Sequence, residues 1–189
     1  VNEGALVLKF WFHLSKAAQK KRLKALQSDP HTAWRVTPGS AQRLKAYDQL
    51  QEVAGHVLRM TNTAWAPWII VEGADDNYRS LTVGQVLLDS LRQRLATGDN
   101  QDTPVAPQMR PGVDGLSVLS ALNLNKKLSD KVYADQLAHW QGRLAELSRD
   151  PRFKSRSLIC VFEGVDAAGK GGAIRHIAGA LDARQYQII

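Results

Sequence analysis

The residues best placed to do chemistry lie in one stretch, FEGVDAAGKGG, from Phe162 to Gly172. Gly164 and Gly169 stand five apart and Lys170 follows directly, a spacing suited to wrapping a main chain around phosphate. Several backbone N–H groups must point inward at the anion, and only glycine turns allow that cheaply. The ammonium of Lys170 adds positive charge, and a helix beginning at this point presents its positive N-terminal end. The N–H groups of Ala167, Ala168, Gly169, Lys170, Gly171 and Gly172 are therefore the expected phosphate contacts, with Gly164 shaping the turn.

One departure from the common pattern is informative. Such loops usually end in Lys followed by Ser or Thr, whose hydroxyl holds a divalent metal. Here Gly171 and Gly172 follow Lys170, so another group must hold the metal, and Asp166 is the carboxylate within the loop. A carboxylate beside bound phosphate repels it unless a cation lies between them. Lys170 and Asp166 are the expected catalytic pair, and Arg175 and Arg184 are further candidates to carry a polyanion.

The flanking segments fit this assignment. The apolar run Leu158–Phe162 reads as a strand entering the loop, and Ile174, Ile177, Ala178 and Leu181 repeat downstream at helical spacing. Tyr186 to Ile189 read as the start of another strand. Upstream, Ser129 is placed to cap a helix running to about Ser148, along which Tyr133, Leu137, Trp140, Leu144 and Leu147 recur every three or four residues.

The N-terminal part has the same alternating character. Leu6–Leu14 is a nearly unbroken apolar run suited to a strand buried on both faces. A basic helix is expected at Lys16–Gln27, a long one at Pro38–Met60 behind the Thr37 cap, a strand at Trp68–Val71 and a helix at Leu81–Leu95. Residues 97–112 contain three prolines and two glycines without helical period. The expected organisation is 1–96, a linker at 97–125, and 126–189.

The chain has 189 residues, 44% of them hydrophobic and 23% charged, enough for a globular α/β fold. A net charge of +7 favours polyanionic partners without choosing among them. Cys160 is the single cysteine and sits in the apolar strand, which excludes an internal disulfide framework. The five histidines show no zinc-like spacing. With no signal peptide and no membrane-length apolar run, a reducing cytoplasmic setting is expected. A first residue of Val1 suggests a fragment of a longer protein.

The segment from Phe162 to Ile189 resembles the loop region of the second family of polyphosphate kinases, including Asp at 166 and Gly-Gly at 171–172. The N-terminal part resembles the C-terminal portion of the same family: Lys9-Phe10-Trp11-Phe12-His13-Leu14-Ser15, Gln19, Arg22, Asp29-Pro30, Trp34-Arg35, Pro38, Thr61, Thr63, Ala66-Pro67-Trp68 and Asp75-Asp76 appear in the family's order. The resemblance implies a P-loop kinase-like parallel sheet with flanking helices, present here as two incomplete tandem domains. It also implies transfer of a phosphoryl group from polyphosphate to a nucleotide, AMP to ADP in the two-domain branch, with Mg²⁺ as cofactor. No nucleic acid or membrane partner is implied, and a homo-oligomer is expected. Leu26 stands where the family's lid often has Arg, and Tyr47-Asp48-Gln49-Leu50 where it often has Trp-Asp-Asp-Tyr, so the first copy is expected to be largely structural. The rivals are an ATP-dependent P-loop nucleotide kinase and a non-catalytic polyanion-binding scaffold.

Overall fold

The computed structural model describes residues 5–97, 119, 122–154 and 156–189. Most of the expected linker, 97–125, lies outside the described residues. Three parallel strands form the sheet: β1 (Leu6–His13), β2 (Trp68–Glu72) and β3 (Leu158–Gly164), in the order β2-β1-β3. Phe10 of β1 lies opposite Ile69 of β2 and Phe162 of β3. Strands from either side of the expected linker thus pair in one sheet.

The central place of β1 explains its continuous apolar sequence, since a strand covered on both faces has no solvent side to keep polar. Leu8, Phe10 and Phe12 point to one face and join Val71, Val83, Leu87, Leu91, Leu144 and Ala173 in the main core. Phe10 is fully buried and stacks on Phe162 with ring centroids 5.2 Å apart. Trp11, Trp68 and Ile70 point the other way and cover Ala54, Leu58 and Leu119. The side-chain period of two therefore separates two apolar clusters, one on each face of the sheet.

The helices are α1 (Lys16–Ser28), α2 (Pro38–Lys45), α3 (Tyr47–Met60), α4 (Asp76–Thr97), α5 (Asp130–Ser148) and α6 (Lys170–Ala178). Ser15 caps α1 by accepting from Ala18 N at 3.2 Å. Thr37 and Ser40 form a capping box around Pro38. Four expectations need correction. The single helix foreseen over Pro38–Met60 breaks at Ala46 (φ −83°, ψ 11°), and the Tyr47 hydroxyl beyond the break donates to Leu14 O at 2.6 Å in a buried setting. Anchoring that ring on the end of β1 sets α3 on its own path. Helix α4 starts at Asp76 rather than Leu81, because Asp75 accepts from Tyr78 N at 2.7 Å and caps an earlier turn. Tyr186 to Ile189 pair with no strand among the described residues, and Ile188 stays exposed. Ser129, for its part, makes no capping bond to α5; Asn77 instead holds Asp130 Oδ1 at 2.8 Å.

All three strands run the same way, so their C-terminal ends, His13, Glu72 and Gly164, share one edge of the sheet. In open α/β sheets that edge is where loops gather ligands.

Candidate functional site

The loop leaves β3 at Gly164 and enters α6 at Lys170. Gly164 has φ +142°, and a Cβ there would lie 2.1 Å from Phe12 O, so the turn passes too close to β1 for any side chain. Val165 N still reaches Phe12 O at 3.2 Å, and Ala168 N closes a turn on Val165 O at 3.2 Å. Ala167 adopts φ +61° and Gly169 φ +92°, two left-handed residues within three positions. Successive turns of this kind gather N–H groups into an anion-binding concavity. At the first turn of α6 the N–H groups of Lys170 and Gly171 have no helical acceptor, as at any helix start.

Lys170 folds back over the loop and donates to Gly164 O at 2.7 Å and Val165 O at 3.2 Å. Burial pushes its pKa down; Asp166 and Glu163 oppose that shift and Arg43 adds to it. The ammonium is thus held across the mouth of the loop on two carbonyls that a phosphate oxygen could replace. Gly171 differs from its neighbours in the loop: a Cβ there would meet nothing within 4 Å. Protein packing leaves room for the Ser or Thr that commonly stands at this position.

Three arginines from the N-terminal part close around the loop. Arg43 on α2 donates from Nε to Asp166 Oδ2 at 2.6 Å. Arg22 on α1 donates to Ala167 O and Gly73 O, both at 2.9 Å, and to Ala74 O and Asp76 Oδ1, also at 2.9 Å. Arg79 on α4 is buried, and a Cβ on Gly169 would lie 2.0 Å from its Cζ. The end of β2 is equally close, for a Cβ on Gly73 would lie 2.8 Å from Ala168 O.

The structure therefore keeps Gly164, Asp166, Ala167, Ala168, Gly169, Lys170, Gly171 and Gly172 together, as their contiguity demands. It does not bring in Arg184, which is exposed and engaged with Asp182 at 2.7 Å. Arg175 lies on the exposed side of α6. Sequence reading missed Arg43 and Arg79. Arg79 did leave a signal, since it stands four residues before Val83 and eight before Leu87 on the buried stripe of α4, where a charge needs a reason. Arg43 left none, lying 123 positions from its partner.

Asp166 is the carboxylate within the loop. Its carboxylate is partly exposed and already faces a positive group, Arg43. Among the described residues there is no group of three or more His, Cys, Asp or Glu that could cage a metal. One carboxylate nonetheless fits Mg²⁺, which commonly takes one or two from protein and completes its shell with water and substrate phosphate. Among the described residues no helix is long and apolar enough to cross a membrane.

A parallel sheet with helices on both faces thus carries a strand that turns through two left-handed residues into a lysine-led helix. The chain belongs to the polyphosphate kinase 2 family, whose model matches residues 1–98 and 127–189. It is 48% identical over 189 residues to a polyphosphate:AMP phosphotransferase of Pseudomonas aeruginosa, covering 100% of this chain and 38% of that protein. A polyphosphate:AMP phosphotransferase of Pseudomonas syringae pv. tomato is 46% identical over 193 aligned residues, with the same coverage. One from Acinetobacter johnsonii is 32% identical over 189 residues, covering 99% of this chain and 36% of that protein. The chain thus spans well under half the length of these relatives.

Proposed function

We propose that the whole protein moves a terminal phosphoryl group from polyphosphate to AMP, giving ADP, and that this chain supplies its phosphate loop. The carrying observation is Lys170, folded on Gly164 O and Val165 O within a Gly164–Gly172 loop whose lysine is followed by no hydroxyl residue. The names of the relatives support polyphosphate as donor and AMP as acceptor. We read 1–96 and 126–189 as parts of two copies joined by a linker, both matched by the family model and here meeting in one sheet. A cytoplasmic homo-oligomer is part of the same reading.

Phosphoryl transfer asks the protein chiefly for alignment and charge neutralisation. The loop N–H groups and Lys170 hold the phosphate chain, the ammonium exchanging its two carbonyl acceptors for phosphate oxygens. Asp166 would hold Mg²⁺, whose charge would help neutralise the phosphate oxygens. Arg43, released from Asp166, is free to turn toward the polyanion.

The test is ADP formation by the whole protein from AMP, with polyphosphate or ATP as donor. Polyphosphate should be the better donor, and Lys170→Ala should lower turnover by about 10²–10³-fold while the fold persists. A preference for ATP, or near-normal turnover in a folded Lys170→Ala variant, refutes the reading.

A further inference from the structure

Arg22 and Arg79 share their acceptors. Arg22 Nη2 lies 2.9 Å from Asp76 Oδ1, and Arg79 Nη1 lies 2.8 Å from the same oxygen. Arg22 Nη1 and Arg79 Nη1 also both donate to Gly73 O, at 2.9 and 3.1 Å. Two guanidinium groups held this close repel each other, and the carboxylate between them offsets that repulsion. Burial lowers the pKa of Arg22; Asp76 opposes the shift and Arg79 adds to it.

The cluster is unevenly buried. The Arg79 side chain is 5% exposed and that of Asp76 71%, so the cation is sunk against the loop while its counter-ion faces solvent. Arg79 Nε is buried and has no hydrogen-bond partner, and it would lie 2.3 Å from a Cβ on Gly169. Arg79 Nη2 would lie 3.4 Å from a Cβ on Gly172. Nη1, tied to Asp76 and Gly73, and the unpartnered Nε both border the place a Gly169 Cβ would take, and Nη2 borders Gly172. Arg22 completes the link by reaching Ala167 O at 2.9 Å.

We infer that Asp76 is a positioning residue for the phosphate loop. Its carboxylate holds Arg22 and Arg79 in the arrangement that sets the buried Arg79 fork against Gly169 and Gly172 and Arg22 against Ala167. This rests on the phosphate reading of the loop given above. It makes a prediction opposite in sign to simple electrostatics. Removing an acidic residue beside a polyanion site should tighten binding if charge alone counts. Removing one that orders two arginines should weaken it, because the forks lose the geometry that matches phosphate.

Tripolyphosphate binding to the whole protein, followed by titration calorimetry, separates the two. Asp76→Asn should bind about tenfold more weakly than the unmutated protein, and Asp76→Glu should recover most of that loss by restoring the charge. Arg79→Lys keeps the net charge but lacks the fork, so it should weaken binding to a similar degree, and it carries the test if Asp76→Asn does not fold. Equal or tighter binding by folded Asp76→Asn, or unchanged binding by Arg79→Lys, overturns the inference alone. Failure of the unmutated protein to bind tripolyphosphate, or binding unaffected by Lys170→Ala, overturns the phosphate reading and this inference with it.

Discussion

Substituting Gly169 by alanine tests the packing of the loop at its tightest point. The backbone there has φ +92°, which costs an L-residue about 1–2 kcal/mol. The new Cβ would also lie 2.0 Å from Arg79 Cζ and 2.3 Å from its Nε and Nη1, far inside contact distance. Arg79 cannot swing freely, since it is buried and bonded to Asp76 at 2.8 Å and Gly73 O at 3.1 Å. Displacing it breaks charge-assisted hydrogen bonds worth about 1.5–3 kcal/mol. Gly169→Ala should therefore destabilise by about 2–5 kcal/mol, read as a lower urea midpoint with unchanged slope. In an Arg79→Ala background the steric part disappears and only the backbone cost of about 1–2 kcal/mol should remain. If the two substitutions add within about 0.5 kcal/mol, Arg79 is not what confines Gly169, and the account of the loop fails.

Other outcomes follow from the same contacts. Gly171→Ser should leave stability unchanged or raise it by a few tenths of a kcal/mol, because its Cβ meets nothing and serine is the better helix former; thermal melting checks this. Tyr47→Phe strips the buried Leu14 carbonyl of its donor at 2.6 Å and should cost about 1–3 kcal/mol in a urea titration. Phe10→Ala empties the stacked centre of the sheet and should cost about 3–5 kcal/mol by the same measurement. Burial lowers the pKa of both His13 and His176, so the unfolded chain binds more protons as pH falls below about 6.5. Stability from these groups is present above that pH and is lost as pH falls through their lower folded values; a melting temperature that stays level from pH 7 to 5 would contradict this.

Local features proved the most legible in the sequence. The loop, its strand and its helix announce themselves by glycine spacing and apolar period, and Leu6–Leu14 was recognisable as a doubly covered strand because no polar face interrupts it. Boundaries set by distant partners were not legible. The break at Ala46 depends on Tyr47 finding Leu14, and the early start of α4 on one Asp75 bond, neither of which alters the hydrophobic period. For the site, contiguity made the loop readable, whereas Arg22, Arg43 and Arg79 reach it only through the fold. Arg22 stands in the family's pattern, but its grip on Ala167 crosses 145 positions of chain.

The order of strands has a consequence for how the molecule acquires its shape. The central strand pairs with β3, which lies far along the chain from it, with Leu6 opposite Leu158. Loop closure over so many residues is slow compared with helix formation, so the sheet should be the late event in folding. During synthesis β1 emerges long before β3, so the run LVLKFWFH goes without that strand partner until β3 is made. That run is largely apolar and rich in aromatic residues, a composition that invites pairing between chains, with Lys9 as its one permanently charged interruption. The strand that anchors the finished sheet is thus the segment of a nascent chain most in need of protection.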